Sequence, residues 1–349
     1  MQTRSGRRAT VRDVAARAGV SIATVSRILN NTYTAPPETH QRVMTAVDEL
    51  DYKATTTRSL SSLAGTIAVA MPHLNGGYFT GIAAGIEEQA RSAGMATLIG
   101  TTANSADREL AFIDTMRKRD VEATILIGAL ASGPDYENLL AEHARAMDRA
   151  GSRLVLCGRP WTGPADAPVH VVSYDAFAAA HSATTFLLSS GHTRLAHLAG
   201  PLDYATGRLR ADGFRQALRD FGVDPETTPI LSVAMNRDAG YRNGSALIEQ
   251  GVTAIFTAND ELAAGVLAAA RERGLGVPAD LSVVGFDDIP MARDLCPPLT
   301  TLHIPREEMG RTAARMALYG GGEQRVQIGT HIVVRESAAP PNGRSATPA

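Results

Sequence analysis

Four neighbouring side chains, Ile22, Ala23, Ser26 and Arg27, carry the first chemical signal in the sequence. Their spacing puts them on the outer part of one short helix, leaving Val25, Ile28 and Leu29 to pack inward. A helix presented this way fits the major groove of DNA. Elsewhere the groups that usually do catalysis are scattered. Gly76-Gly77 and Gly320-Gly321-Gly322 lack the lysine of a phosphate loop, no Gly-x-Ser-x-Gly elbow occurs, and His181, His192 and His197 follow no metal-ligand spacing. These patterns argue against an enzyme and imply neither cofactor nor metal. The two cysteines, Cys157 and Cys296, are far apart, which excludes a disulfide framework and a structural zinc site and suits a reducing cytoplasm.

The helix bearing Arg27 needs a partner to hold it. Thr10 is placed to cap a preceding helix with Asp13 in its first turn, Gly19 to end it, and Ser21 to cap the second helix. Val14, Ala15, Ala18 and Val20 supply its packing face. Pro36-Pro37-Glu38 opens a third helix, on which Val43, Met44, Val47 and Leu50 recur at helical spacing. Residues 1–60 carry nine basic and five acidic side chains, a net +4, whereas the rest of the 349-residue chain is −6. Only the head is therefore expected to meet a polyanion.

From Thr66 short apolar runs alternate with helical stretches. Strands are expected at 66–71, 96–99, 123–127, 153–157, 169–172, 195–198, 254–257 and 281–286. Helices are expected between them, which implies parallel sheets covered on both faces. The units are too many for one sheet, and the Pro/Gly stretch 158–168 breaks the body near its middle. Two doubly wound α/β lobes follow, with a ligand cleft expected at the strand carboxyl ends. The basic N-terminus MQTRSGRRAT leads into no apolar run, so no secretory signal is expected, and no stretch approaches a membrane span.

The head, VRDVAARAGVSIATVSRILNN then PPETHQRVMTAVDELDY, closely resembles the lactose-repressor (LacI/GalR) family of bacterial transcription regulators. The body carries similar marks in order: IAVAMPHLNGGYF, SSGHTRLAHLAGP, GRLRADGF, FTANDELAAGV, LSVVGFDD, PPLTTLHIP and VVRES. The resemblance implies a cytoplasmic regulator, most readily a repressor. It would bind operator double-stranded DNA as a homodimer and hold a small effector, a sugar or sugar acid, between lobes of periplasmic-binding-protein type. A ligand-binding protein with an impaired head is the alternative.

By that resemblance the DNA-binding residues are Arg12, Ser21, Ile22, Ala23, Thr24, Ser26, Arg27 and Leu60. Ile22 and Ala23 occupy the positions that usually discriminate operators and can make only apolar contacts, whereas Arg27 can bond a guanine or a phosphate. Leu60 matches the leucine that wedges into the minor groove, although the hinge KATTT is one residue shorter than usual. For the effector the resemblance implies Tyr78, Phe79, Ser173, Arg210, Met235, Asn259 and Asp287. Arg210 is the clamp for hydroxyls or a carboxylate, Asp287 accepts from hydroxyls, Asn259 offers donor and acceptor, and Tyr78 with Phe79 forms an apolar wall. Asp260 and Asp288 are expected to cap helices or hold the lobe hinge.

The expected organisation is a helix-turn-helix head at 1–53, a hinge linker at 54–65, and an effector-binding and dimerisation body at 66–339. The first lobe is 66–160 plus about 302–319, the second 161–290 plus about 322–339, and a disordered tail covers 340–349.

Overall fold

The computed structural model describes residues 9–29, 35–50, 63–128, 133–320 and 324–342. They fall into two compact units that divide between Leu63 and Ala64.

In the first unit α1 (Val11–Ala18), α2 (Ile22–Leu29) and α3 (Pro37–Glu49) surround a small core of Val14, Ala15, Ala18, Val25, Ile28, Val43 and Ala46. Local chemistry sets the boundaries. Thr10 and Asp13 form a reciprocal capping box, in which the Asp13 carboxylate accepts the Thr10 N–H at 2.7 Å. Gly19 ends α1 at a φ of +64°, a conformation that strains a residue with a Cβ. Ser21 Oγ accepts the Thr24 N–H at 3.0 Å and starts α2. Pro37 opens α3, where a helix has no use for the missing N–H.

The second unit begins with β1 (Thr66–Met71), α4 (Gly77–Ser92), β2 (Ala96–Thr101), α5 (Ala106–Arg117), β3 (Ala123–Ile127), α6 (Pro134–Arg149), β4 (Arg153–Cys157) and β5 (Val169–Tyr174). Next come α7 (Ala176–Ser189), β6 (Leu195–Ala199), α8 (Ala205–Asp220), β7 (Ile230–Ser232), α9 (Arg237–Glu249), β8 (Ala254–Thr257), α10 (Asp260–Glu272), β9 (Ser282–Asp287), α11 (Met291–Asp294) and β10 (Thr300–His303). The last elements are α12 (Arg306–Tyr319), β11 (Arg325–Ile328) and β12 (His331–Val333). One sheet runs β11–β5–β4–β3–β1–β2 and is parallel throughout; the other runs β12–β10–β9–β8–β6–β7, with only β12 antiparallel to its neighbour. Inner strands are apolar on both faces because helices cover both: every residue of β1 and of β9 is buried. Among the described residues no helix is long and apolar enough to cross a membrane.

The sheet order corrects the expected lobe boundaries. Residues 161–174 belong to the first lobe, since β5 pairs with β4. The Pro/Gly stretch is a loop within that lobe: Trp161 is buried in its core and donates from Nε1 to Pro164 O at 3.1 Å. The chain changes lobe at Asp175, whose side chain caps α7. It crosses again between His303 and Arg306, and a third time between Ile328 and His331. Hence β10 lies in the second lobe, although 302–303 are expected in the first, and β11 lies in the first lobe, opposite to expectation.

The expected tail also starts too early. His192 bonds Ala339 O at 2.9 Å, and within the expected tail Asn342 Nδ2 donates to Ala279 O at 2.7 Å. Residues 343–349, like the hinge residues 54–62, lie outside the described residues.

Candidate functional site

Two surfaces carry the chemistry. On the head, Ile22 is 45% exposed, and Ala23, Ser26 and Arg27 share the exposed side of α2 while Val25 and Ile28 face the core. Ile22 is therefore not an extra core residue. Arg12 is exposed on α1. Ser21 and Thr24 are joined hydroxyl to hydroxyl at 2.8 Å, which fixes the first turn of α2. Leu60 lies outside the described residues.

In the body a cleft of about 480 Å³ opens between the carboxyl ends of the two sheets. From the first lobe come His73, Asn75, Tyr78 and Phe79 after β1, Asn104 after β2, Gly128 after β3, Gly158 after β4, and Tyr174 at the end of β5. The second lobe supplies Tyr204, Thr206 and Arg210 after β6, Met235 and Asn236 after β7, Asn259 and Glu261 after β8, and Asp287 with Ile289 at the end of β9.

Close helix packing aims the first-lobe aromatics. A Cβ on Gly85 of α4 would stand 2.1 Å from Glu307 O, and one on Gly310 of α12 would stand 2.1 Å from Ile82 O. Glycine at both positions lets the two backbones touch and fixes α4 against α12. Tyr78 and Phe79 then meet edge to face, ring centres 5.3 Å apart, with Phe79 over Gly128 and the Tyr78 hydroxyl over Gly158. That hydroxyl is buried and has no hydrogen-bond partner. Burial holds its pKa well above the ordinary tyrosine value, with neighbouring Tyr174 and Asp287 adding to the effect.

Opposite stands Arg210, buried on α8. Its Nη2 donates to the Tyr174 hydroxyl at 2.6 Å, Nη1 donates to Ala258 O, and the guanidinium lies 3.9 Å from the centre of the Phe286 ring. Nε has no partner. Asp287, the last residue of β9, holds a φ of +107° and buries Oδ1 without a donor. Burial pushes its carboxyl up to about 7; Arg210 and Arg306 pull the other way, and Glu261 adds to the rise. The cleft thus offers a hydroxyl, a guanidinium N–H and a carboxylate oxygen, all waiting for a partner. A ligand rich in hydroxyl groups satisfies all three.

Other expected residues sit differently. Asn259 Oδ1 accepts the Leu262 N–H at 2.9 Å and so caps α10, while Nδ2 leans toward Met235 O at 3.4 Å; its acceptor is already engaged. Met235 lines the cleft beside Gly200. Ser173 does not line it, which corrects that expectation: side chains alternate along β5, and Tyr174 is the one that reaches the ligand space. Cys157 is buried beneath the cleft, where burial pushes its thiol up. Asp260 accepts from Ile289 N–H at 2.8 Å and Thr301 Oγ1–H at 2.6 Å, and Asp288 pairs with Arg335 and His303. Tyr174, Tyr204, Thr206, Asn236 and Glu261 escaped the sequence reading. Each falls at or just beyond a strand's carboxyl end, the one signal that could have marked them. Among the described residues no cluster of three or more His, Cys, Asp or Glu side chains is arranged to hold a metal ion.

Residues 10–55 match the profile of bacterial regulatory proteins of the lacI family, and residues 184–338 that of a periplasmic binding protein-like domain. The HTH-type transcriptional regulator DegA of Bacillus subtilis is 31% identical over 343 residues, covering 95% of this chain and 99% of its own. The chain belongs to the LacI family. Among solved structures, a complex of the transcriptional regulator CelR with cellobiose is similar at TM-score 0.69 and 29% identity, over 95% of this chain and all of that one. A LacI-family regulator from Enterococcus faecium with bound ribose matches at TM-score 0.68 and 25% identity, over 79% of this chain and 99% of its own. This LacI-family member is thus a DNA-binding transcriptional regulator with a ligand-binding body. Its relatives are regulators and not enzymes, in line with the missing catalytic motifs.

Proposed function

We propose that the protein is a cytoplasmic repressor that binds operator DNA as a homodimer and whose operator affinity is set by a sugar or sugar derivative in the interlobe cleft. The observation that carries this reading is the convergence of three buried, partnerless polar atoms, Tyr78 Oη, Arg210 Nε and Asp287 Oδ1, from opposite lobes. Hydroxyl groups both donate and accept, so a sugar can serve all three. Two carboxylates, Asp287 and Glu261, line the cleft with one guanidinium, which favours a neutral sugar over a sugar acid. The ligands in the two similar structures, cellobiose and ribose, are neutral sugars. On the head, Ile22 and Ala23 would read base edges through apolar contacts, thymine methyls above all, with Arg27 as the polar reader and Arg12, Ser21, Thr24 and Ser26 on the backbone. Two heads in a dimer match a pseudo-palindromic site.

A thermal-shift screen of the full chain against neutral sugars, sugar acids and nucleobases tests the cleft. A neutral sugar that raises Tm in the wild type and fails to do so with Arg210→Ala is the expected result. A nucleobase as the only ligand, or stabilisation indifferent to Arg210→Ala, would overturn the sugar reading.

A further inference from the structure

Directly after the cleft carboxylate Asp287 comes Asp288, which does not itself line the cleft. Its Oδ2 bonds His303 Nδ1 at 2.8 Å, its Oδ1 accepts from Arg335 Nη2 at 2.6 Å, and its carbonyl accepts from Arg306 Nη2 at 3.0 Å. His303 is the last residue before the second crossover between lobes, and Arg306 is the first helical residue after it. Arg306 reaches on through Nη1 to Gly77 O, at the start of first-lobe α4, at 3.3 Å. Across the strand pair, the His303 ring lies 4.9 Å from the ring of His331, the first residue after the third crossover. Arg335 follows that same strand. One residue therefore gathers both flanks of one crossover and the far flank of another, its side chain holding His303 and Arg335 and its carbonyl holding Arg306.

The backbone ties this knot to the cleft. Asp287 and Asp288 have φ values of +107° and +52°, two consecutive non-glycine residues in a region L-amino acids avoid. Such a conformation persists only where surrounding contacts hold it. On the Asp288 side they are the three bonds above, and on the Asp287 side a buried oxygen still lacks a partner. A ligand that hydrogen-bonds Asp287 pulls on a segment whose other end grips the crossovers.

We propose that Asp288 is the positioning residue that carries ligand engagement at Asp287 to the lobe crossovers and so to the angle between the lobes. The inference rests on the effector-controlled reading above. Burial pushes the Asp288 carboxyl up, but its bonds to Arg335 and His303 outweigh burial and leave it below the ordinary aspartate value, so it stays ionised and the grip holds at neutral pH. Asp288→Asn leaves a neutral amide oxygen for Arg335 and turns an N–H₂ toward His303, whose Nδ1 must then accept, so the charge-assisted grip on both is lost.

The test uses the full chain and measures operator affinity by fluorescence anisotropy with and without saturating D-ribose or cellobiose, the probe being whichever gives the larger thermal shift. Calorimetry gives the sugar affinity alongside. The wild type is expected to change operator Kd about fivefold or more on sugar binding, whereas Asp288→Asn keeps sugar affinity within about threefold and loses most of the operator response. His303→Gln, which alters a partly exposed partner, is expected to lose part of the response and decides the matter should Asp288→Asn fail to fold. An unchanged response in folded Asp288→Asn, or in His303→Gln, would overturn the proposal while leaving the effector reading standing. A wild type that ignores both sugars in operator binding would overturn both.

Discussion

Arg210 Nη2 donates to the Tyr174 hydroxyl at 2.6 Å, joining second-lobe α8 to the last residue of first-lobe β5 at the chain's first crossover. The bond gives a buried guanidinium one of its two side-chain anchors, the other being Ala258 O. Tyr174→Phe removes the acceptor and leaves the N–H unsatisfied. Urea unfolding is expected to show a loss of about 1–3 kcal/mol. Sugar affinity should fall in the same variant, since Arg210 is no longer held in place; calorimetry checks it.

Asp287 makes the cleft sensitive to pH. Its carboxyl titrates near 7 in the folded protein and near the ordinary 3.8 in the unfolded chain. A group whose folded pKa is raised contributes stability that is full below the unfolded value and lost as pH rises through the folded one. Wild-type stability is therefore expected to decline between about pH 4 and pH 7 relative to Asp287→Asn, which urea melts across that window would show. A hydroxyl-donating ligand favours the carboxylate, so binding should tighten from pH 6 to pH 8 with proton release. Arg210, Arg306, Glu261 and Tyr78 face the same carboxyl. Calorimetry in buffers of different ionisation enthalpy detects the proton.

On the head, Arg27→Ala should weaken operator binding by about 1–3 kcal/mol with little change in Tm. Ile22 is 45% exposed, so Ile22→Ala should likewise spare the fold while reducing operator affinity. Thr10→Ala behaves oppositely: losing its half of the capping box should cost about 1 kcal/mol of head stability. Anisotropy and thermal melts on the same samples separate the two classes.

Gly85→Ala tests how α4 is positioned. The added methyl meets a backbone carbonyl at 2.1 Å, which no side-chain rotation relieves. Destabilisation of about 1–3 kcal/mol is expected. Because α4 must shift, Tyr78 and Phe79 shift with it, and sugar affinity should fall further than the stability loss alone implies.

Much of this was legible in the residues. Thr10, Asp13, Gly19 and Ser21 marked the head helices through chemistry local to each turn, and the apolar runs placed β1 to β6, β8 and β9 but not the short strands β7, β10, β11 and β12. What was not legible depended on partners far along the chain. The stretch 158–168 reads as a lobe boundary because proline and glycine stop regular structure, yet Trp161 buries itself in the first lobe and β5 returns to that sheet. Ser173 is the residue the resemblance implies, yet Tyr174 lines the cleft, because one step along a strand exchanges its faces. Arg210 and Asn259 were read as open to a ligand. Tyr174, Ala258 and the N–H of Leu262 occupy part of their bonding capacity.

In the proposed function the sugar in the cleft and the operator on the head are coupled. The direct measurement is an anisotropy titration of the full chain on DNA from its own upstream region, at zero and saturating concentrations of the sugar found in the screen, with calorimetry of the sugar in the presence and absence of that DNA. The sugar is expected to change operator Kd, and the DNA to change sugar Kd by the same factor, because coupling between two sites is reciprocal. Operator binding of equal strength with and without the bound sugar would contradict it.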